Sequence, residues 1–307
     1  MGRVTVVGSY VTDVMIRTPH LPAPGETVLG GPFQIGPGGK GGNQATAAAR
    51  SGSNVMFVTK IGTDIFGQEA VQHFEREGLD IRFIQRSEKE ATGTALISVD
   101  DAGENNIVIA PGACGAMSGA DVERAEEAIE RADLLVLQLE IHFEAIGAAI
   151  QKAARCGVPI LLNPAPYTAF PMEWLQHVTY VTPNETEARG LTGIAVEDEA
   201  SAQRAADILH EKGASVVMIT MGKKGVFLSQ GTGKGRQMEG FSVKAVDTTG
   251  AGDAFNGGFA HAITSGMNIE EAVQFGQAAA ALSVTKAGTA VSMPSSKEIK
   301  AFLKTVF

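Results

Sequence analysis

The chain has 307 residues, 44% of them apolar, which is ample for a large core and compatible with two domains or with one α/β domain. A net charge of −9 with no basic run argues against nucleic acid as a partner and against a polybasic membrane contact. No apolar run approaches the ~20 residues of a membrane span, no signal peptide precedes the first strand, and Cys114 and Cys156 form no CxxC, so free thiols in a reducing cytoplasm are expected.

A buried strand is expected over residues 3–9. Residues 10–37 are rich in proline and glycine, with short alternating pieces at 14–17, 26–29 and 33–35, which predicts a small sheet excursion and not a βα unit. A helix over 43–50, a strand over 55–61 and a helix over 65–77 follow. Residues 94–99 and 105–109 predict a hairpin around Asp101-Ala102-Gly103, a second excursion. From residue 120 the pattern is regular βα alternation, with helices at 121–131, 143–155, 185–191 and 200–212 and strands at 134–139, 160–162, 180–182 and 215–220. A hairpin within 225–241, helices near 251–265 and 269–284, and a terminal helix near 296–303 complete the chain. The alternation predicts an α/β fold with a mainly parallel sheet and helices on both faces. With no internal repeat, low-complexity tract or linker, one domain over 1–307 is expected, carrying a small β lid built from excursions at about 10–37 and 92–112.

Glycine is abundant, 37 residues against a usual ~7%, and two clusters of it stand before predicted helices. In the first, the strand-like approach 241–246 runs into Asp247-Thr248-Thr249-Gly250-Ala251-Gly252-Asp253 and then an apolar helix. Such a turn aims consecutive N–H groups and the positive end of a helix at one point, an anion site suited to phosphate. Asp253 at its edge is placed to take a proton from a hydroxyl, and an anion hole beside a general base is the minimum for phosphoryl transfer to an alcohol. Read locally, Gly250 and Gly252 also fit a plain tight turn with Asp253 as a helix N-terminal charge.

The second cluster, Gly36-Pro37-Gly38-Gly39-Lys40-Gly41-Gly42-Asn43-Gln44, formally matches Gly-x-Gly-x-x-Gly. Against a dinucleotide site, the cluster does not follow the N-terminal strand, contains Pro37, and places Lys40 and Asn43 where bare backbone is needed. A Walker A match fails because Gly41 follows Gly39-Lys40. A helix N-terminus with glycines for the turn is the structural alternative.

The two clusters together resemble the two signatures of the ribokinase, or PfkB-type, carbohydrate kinase family. The resemblance extends along the chain through Gly8-Ser9 with Asp13, Pro24-Gly25-Glu26-Thr27, Gln138-Leu139-Glu140, Asn163-Pro164-Ala165-Pro166, Thr182-Pro183-Asn184-Glu185-Thr186-Glu187 and Thr220-Met221-Gly222. It implies a three-layer α/β/α sandwich with a small β lid and an ATP-dependent sugar kinase using Mg²⁺ and K⁺, cytoplasmic and homodimeric through the lid. Carried over by residue, Asp253 would be the base and Gly250, Ala251 and Gly252 the anion hole. Asp13, Gly39, Lys40, Asn43 and Glu140 would bind sugar hydroxyls. Asn184, Thr220, Gly222, Lys223, Gly225, Gly252 and Gln277 would line ATP, with Lys224 as an alternative to Lys223 at the phosphates, and Glu187 would hold Mg²⁺ through water. Asp247, Thr249, Ser283, Lys286, Gly288 and Ser292 would hold a monovalent cation, mostly through carbonyls. Asn184 and Glu187 also form the pattern of a helix capping box.

One departure bears on substrate. The family pattern after the first strand carries Asn where this chain has Val11, in Ser9-Tyr10-Val11-Thr12-Asp13. Valine cannot hydrogen-bond a hydroxyl, so ribose competes with 2-deoxyribose and with other sugars or nucleosides as substrate. The other readings are an NAD(P)-dependent oxidoreductase built on Gly36–Gly41 and a non-catalytic sugar or nucleotide sensor.

Overall fold

The fold is that of a computed structural model, which describes residues 2–306; Met1 and Phe307, the ends of the expected 1–307 domain, lie outside it. A nine-stranded sheet runs in the order β13-β12-β11-β10-β9-β8-β1-β4-β5. Its strands are β1 (Arg3–Val7), β4 (Asn54–Gly62), β5 (Ile84–Ser87), β8 (Leu134–Leu137), β9 (Ile160–Leu162), β10 (Tyr180–Val181), β11 (Val216–Thr220), β12 (Val226–Ser229) and β13 (Gly235–Met238). From β5 to β11 every pairing is parallel, and β12 and β13 append an antiparallel hairpin. The central strands read as unbroken apolar runs because both sheet faces are covered. Val4 and Val6 of β1 join one core and Val7 the other.

The first core is closed by α1 (Lys40–Ser51), α2 (Ile65–Arg76), α9 (Ala251–Thr264), α10 (Ile269–Ser283) and α11 (Ser296–Val306), through Ala45, Phe74, Phe259, Phe275 and Ile299. The second is closed by the short helices α3 (Gly112–Gly115), α4 (Gly119–Glu123) and α5 (Glu126–Glu130), together with α6 (Phe143–Cys156), α7 (Glu185–Thr192) and α8 (Glu199–Glu211). The result is a three-layer α/β/α fold, as the resemblance implies. The two excursions form a separate four-stranded sheet in the order β3-β2-β6-β7, from β2 (Val11–Thr18), β3 (Phe33–Gly38), β6 (Gly93–Asp100) and β7 (Asn105–Ala110). By register and alternation, Phe33, Leu96 and Val108 are exposed on one face of it, and Ile107 and Ile109 on the other, the face that carries Asp13.

Several boundaries differ from the sequence reading. Helix α1 begins at Lys40, three residues before the expected start, and takes in Gly41 and Gly42. Those glycines look like turn residues, but Gly41 is needed inside the helix, since a Cβ there would lie 2.7 Å from the Gly8–Ser9 backbone. The piece at 26–29 forms no strand; Leu29 is 90% exposed and Glu26 instead accepts the Ala23 N–H. The expected helix 121–131 is split into α4 and α5, with the backbone turning at Ala125. The strand at 134–139 stops at Leu137, which frees Gln138 and Glu140 from the ladder. Residues 241–246 form no strand, because β13 ends at Met238. Strand β5 carries no alternation long enough to be read from sequence.

Strand order reverses between β1 and β8, since β4 and β5 lie to one side and β8 to β13 to the other. Ligands of open parallel sheets bind beyond the carboxyl ends of the strands at such a switch point. There the chain delivers Ser9 after β1, Gln138 and Glu140 after β8, Asn163 after β9, Thr182 and Asn184 after β10, and Gly222 after β11.

Candidate active site

The loop 246–250 is held against the end of α10: the Val246 and Asp247 amides both donate to the Val284 carbonyl, at 2.7 and 3.2 Å. The Asp247 carboxylate accepts the Thr249 amide at 2.9 Å and the Gly288 amide at 3.0 Å. Gly250, with φ 78°, makes the left-handed turn into α9 that a side chain would strain. The first-turn amides of a helix have no acceptor within it. Here the Ala251 amide closes on the Thr248 carbonyl at 3.3 Å and the Ala254 amide on that of Gly250 at 2.9 Å. The amides of Gly252 and Asp253 have no acceptor among the described residues. Gly252 has a negative φ, and a Cβ added to it would meet nothing within 4 Å, so neither conformation nor protein packing requires glycine there.

Asp253, one residue on, is 5% exposed and fully engaged. Its Oδ2 accepts from Asn43 Nδ2 at 3.0 Å and its Oδ1 from Gln44 Nε2 at 2.9 Å. Burial pushes its pKa up, against the pull of Lys40 and of these two amides. Behind it lies a network of buried side chains. Gln44 Nε2 also donates to Asn163 Oδ1, and Gln44 Oε1 accepts from Gln138. Asn163 donates to the Thr182 carbonyl, the Thr182 hydroxyl donates to Asn256, and Asn256 donates to the Gly252 carbonyl. The network therefore holds both the carboxylate and the backbone of the glycine turn. The sequence assigns no role to Gln44, Asn163, Thr182 or Asn256: the first three stand in family-like motifs, and nothing local marks Asn256 as more than a helix residue.

The residues assigned to sugar by resemblance gather near Asp253: Asn43 bonds to it, and the charges of Lys40, Glu140 and Asp13 interact with it. The Glu140 carboxylate Oε2 accepts from the Ser9 hydroxyl at 2.5 Å and from the Lys40 amide at 2.9 Å. Burial works to lower the Lys40 pKa, but Asp253, Glu140 and Glu187 together raise it. Asn43 Oδ1 is buried without a hydrogen-bond partner among the described residues. Gly39, at φ 80°, caps α1, and a Cβ there would lie 2.9 Å from the Val11 amide. Asp13 lies over Gly38, where a Cβ would fall 2.2 Å from its Oδ1, and burial pushes its pKa to about 6. Val11 shares the Asp13 face of β2 by alternation, is 6% exposed, and packs into the core with Ala95 and Cys114.

The expected capping box at α7 is present: Asn184 accepts the Glu187 amide, and Glu187 reaches back to the Asn184 amide at 2.9 Å. Glu187 is 7% exposed, its pKa raised by burial against the Asn184 amide and Lys40. Thr220 ends β11 and bridges to Asn184, with Gly222, Lys223 and Gly225 in the following turn. Lys223 is exposed, whereas Lys224 is tied to the Glu197 carbonyl. Gln277 donates to the Met238 and Glu239 carbonyls. Of the six residues assigned to a cation, Asp247, Thr249 and Gly288 are joined by hydrogen bonds. The Ser283 carbonyl accepts the Lys286 amide, the Ser292 hydroxyl donates to Thr289, and the Lys286 side chain turns outward to Glu298. The Gly36–Gly41 cluster forms the end of β3, a strand of the small sheet and not of the main one, and then opens α1.

A helix-opening turn with two amides free of acceptors, a buried carboxylate and a group of polar side chains beside the small sheet sit at one switch point. The sequence matches the description pfkB family carbohydrate kinase over residues 1–296. It is 46% identical over 300 residues to a ribokinase of Haemophilus influenzae, covering 98% of each chain. It is 37% identical over 301 residues to a deoxyribokinase of Salmonella typhi, again covering 98% of each. The structure of an Arabidopsis thaliana ribokinase complexed with ribose and ATP superposes with a TM-score of 0.91 at 31% identity, covering 99% of each chain. Motifs, site geometry and likeness over the whole length agree: the chain belongs to the PfkB family of carbohydrate kinases, phosphotransferases with an alcohol group as acceptor.

Proposed function

We propose that this chain is an ATP-dependent pentose kinase acting on the primary hydroxyl of ribose or 2-deoxyribose. The observation that carries the reading is the pairing of Asp253 with the open amides of Gly252 and Asp253 on one helical turn. Ribokinases and a deoxyribokinase among the relatives support the pentose, and the neighbour complexed with ribose and ATP supports the two substrates.

In this reading the sugar lies between Asp13 and Glu140, with Lys40 and Asn43 contributing donors and the unpartnered Asn43 Oδ1 accepting a hydroxyl. Asp253 takes the proton of the primary hydroxyl as its oxygen bonds to the γ-phosphorus, the bond to the bridging oxygen of ADP breaks, and ADP departs. The freed amides at 252 and 253 stabilise the charge on the transferring group. The Ala251 amide, already turned to Thr248, contributes less than the resemblance implied. Asn184, Thr220, Gly222, Lys223, Gly225 and Gln277 line the nucleotide.

Glu140, Glu187 and Asp253 surround the single charge of Lys40, and Asp13 lies near Glu140 and Asp253, so a polyanionic nucleotide needs further positive charge. No cluster of three His, Cys, Asp or Glu side chains fit to chelate a metal occurs among the described residues. Both oxygens of Glu187 already accept from Asn184, which fits a water-mediated hold on Mg²⁺ bound chiefly by ATP. Bound Mg²⁺ would neutralise phosphate charge. The ionised Asp247 carboxylate and the carbonyls around 283–292 fit a K⁺ site of hard oxygen donors; hydrogen bonds from Gly288 and Thr249 outweigh burial and lower the Asp247 pKa.

We read residues 1–307 as one kinase domain, cytoplasmic, and as a homodimer through the exposed apolar lid face. No helix of the described residues is long and apolar enough to cross a membrane. Turnover of a panel of pentoses, deoxypentoses and nucleosides, followed by coupled ADP detection, tests the function. A pentose is expected to give the highest kcat/KM; reduction of NAD(P) without ADP formation, or sugar binding without turnover, would overturn it.

A further inference from the structure

The Thr289 side chain bonds to the lid from the far end of the chain. Its hydroxyl lies 3.2 Å from Asp13 Oδ2 on β2 and 3.1 Å from the Pro37 carbonyl on β3. Both contacts span more than 250 residues of sequence, and β2 and β3 are adjacent antiparallel strands. The residue before it, Gly288, donates its amide to Asp247, so one short loop ties the lid to the glycine turn that leads into α9. On its other side the Asp13 carboxylate is pressed over bare Gly38. Gly38 and Thr289 between them fix where that carboxylate points. A hydroxyl carries one proton, so Thr289 can donate to only one of its two acceptors at a time.

We propose that Thr289 is a positioning residue, whose hydroxyl aims the Asp13 carboxylate at the sugar and fastens the β2–β3 hairpin of the lid to the body. The proposal rests on the reading that Asp13 binds sugar. When a sugar hydroxyl donates to Asp13, the Thr289 proton can pass to the Pro37 carbonyl, so the lid stays fastened while the carboxylate is engaged.

The test compares Thr289→Val, which keeps the shape and removes the hydroxyl, with Thr289→Ser, which keeps the hydroxyl, in the full-length enzyme. A hydrogen bond to a charged group removed from a binding residue corresponds to about a tenfold loss. Thr289→Val is expected to raise the pentose KM by about tenfold while the ATP KM stays within about twofold, and Thr289→Ser to keep both near the wild-type values. Added to Asp13→Ala, Thr289→Val should change the pentose KM by less than about twofold, because residues acting through one another are not additive. Hydrogen exchange in the lid segments 11–18 and 33–38 should quicken in Thr289→Val and in Thr289→Ala, while β4 stays protected. An unchanged pentose KM in Thr289→Val, equal rises in both KM values, or a full effect persisting in the Asp13→Ala background would overturn the proposal. An Asp13→Ala enzyme with an unchanged pentose KM would overturn the underlying reading of Asp13, which separates that failure from failure of the fastening itself.

Discussion

Gly252 offers a test in which stability and activity should move in opposite directions. It stands in the first turn of α9 with negative φ, and an added methyl group would meet no protein atom within 4 Å. By protein criteria alone, Gly252→Ala removes backbone freedom from the unfolded chain without strain, worth about 0.5–1 kcal/mol. Spread over the unfolding entropy of a 307-residue chain, that is a rise of roughly 1–2 °C in Tm. If the open space is where the transferring phosphoryl group passes, the same methyl keeps that group from the amides, and loss of such a donor typically costs about 10²–10³ in kcat. Gly250→Ala is the control: its φ of 78° makes a side chain cost about 1–2 kcal/mol, so Tm should fall. Thermal unfolding of the ligand-free proteins and coupled ADP detection read the two quantities separately. A Gly252→Ala enzyme with wild-type kcat would refute the placement of the phosphoryl group, whatever its Tm.

Three further outcomes are expected. Asp253→Asn should lower kcat by about 10²–10⁴ with little change in either KM, measured by steady-state kinetics; wild-type kcat would remove it as the base. Burial raises the carboxyl pKa of Asp253, and that of Asp13 to about 6, so both take up protons before ordinary carboxylates as pH falls, and a pH profile should place the acid limb of kcat/KM near 6, not near 4. K⁺ should raise activity above equal concentrations of Na⁺ or a bulky organic cation; identical rates in all three would count against the Asp247 loop as a cation site.

The layers of the fold were legible because their signal is periodic. Strands such as β1 and β8 are covered on both faces and so appear as apolar runs, and the lid announced itself by interrupting that pattern with proline, glycine and alternation. What failed to read were places where distant backbone decides the local form. Gly41 looks like a turn because glycine is a poor helix former. It is helical because the Gly8–Ser9 backbone passes too close for any Cβ. Residues 121–131 space Val122, Ala125, Ala128 and Ile129 like one helix, and the chain instead turns at Ala125; within α5 the Ala128 carbonyl accepts from the buried Thr5 hydroxyl of β1 at 2.6 Å.

The same division runs through the site. The glycine turn and Asp253 could be read because their chemistry is local: a bare backbone, a helix start and a carboxylate within four residues. The support for Asp253 could not, since Gln44, Asn163, Thr182 and Asn256 come from four segments that meet only at the carboxyl ends of adjacent strands. Each is a common polar residue whose meaning is its partner. Val11 shows the limit from the other side. Its replacement of a polar family residue is plain in the sequence, and its position on the Asp13 face is set by strand alternation. Yet it is packed with core side chains, so its effect on substrate depends on how the lid closes over the sugar. A hydroxyl left without a partner beside it would cost roughly 1–3 kcal/mol, which favours a substrate lacking that hydroxyl. Val11→Asn should accordingly shift the ratio of kcat/KM for ribose over 2-deoxyribose upward by about tenfold, the equivalent of ~1.4 kcal/mol. An unchanged ratio would make Val11 a core residue alone and would leave the choice between the two sugars to the groups that hold Asp13 and Asn43 in place.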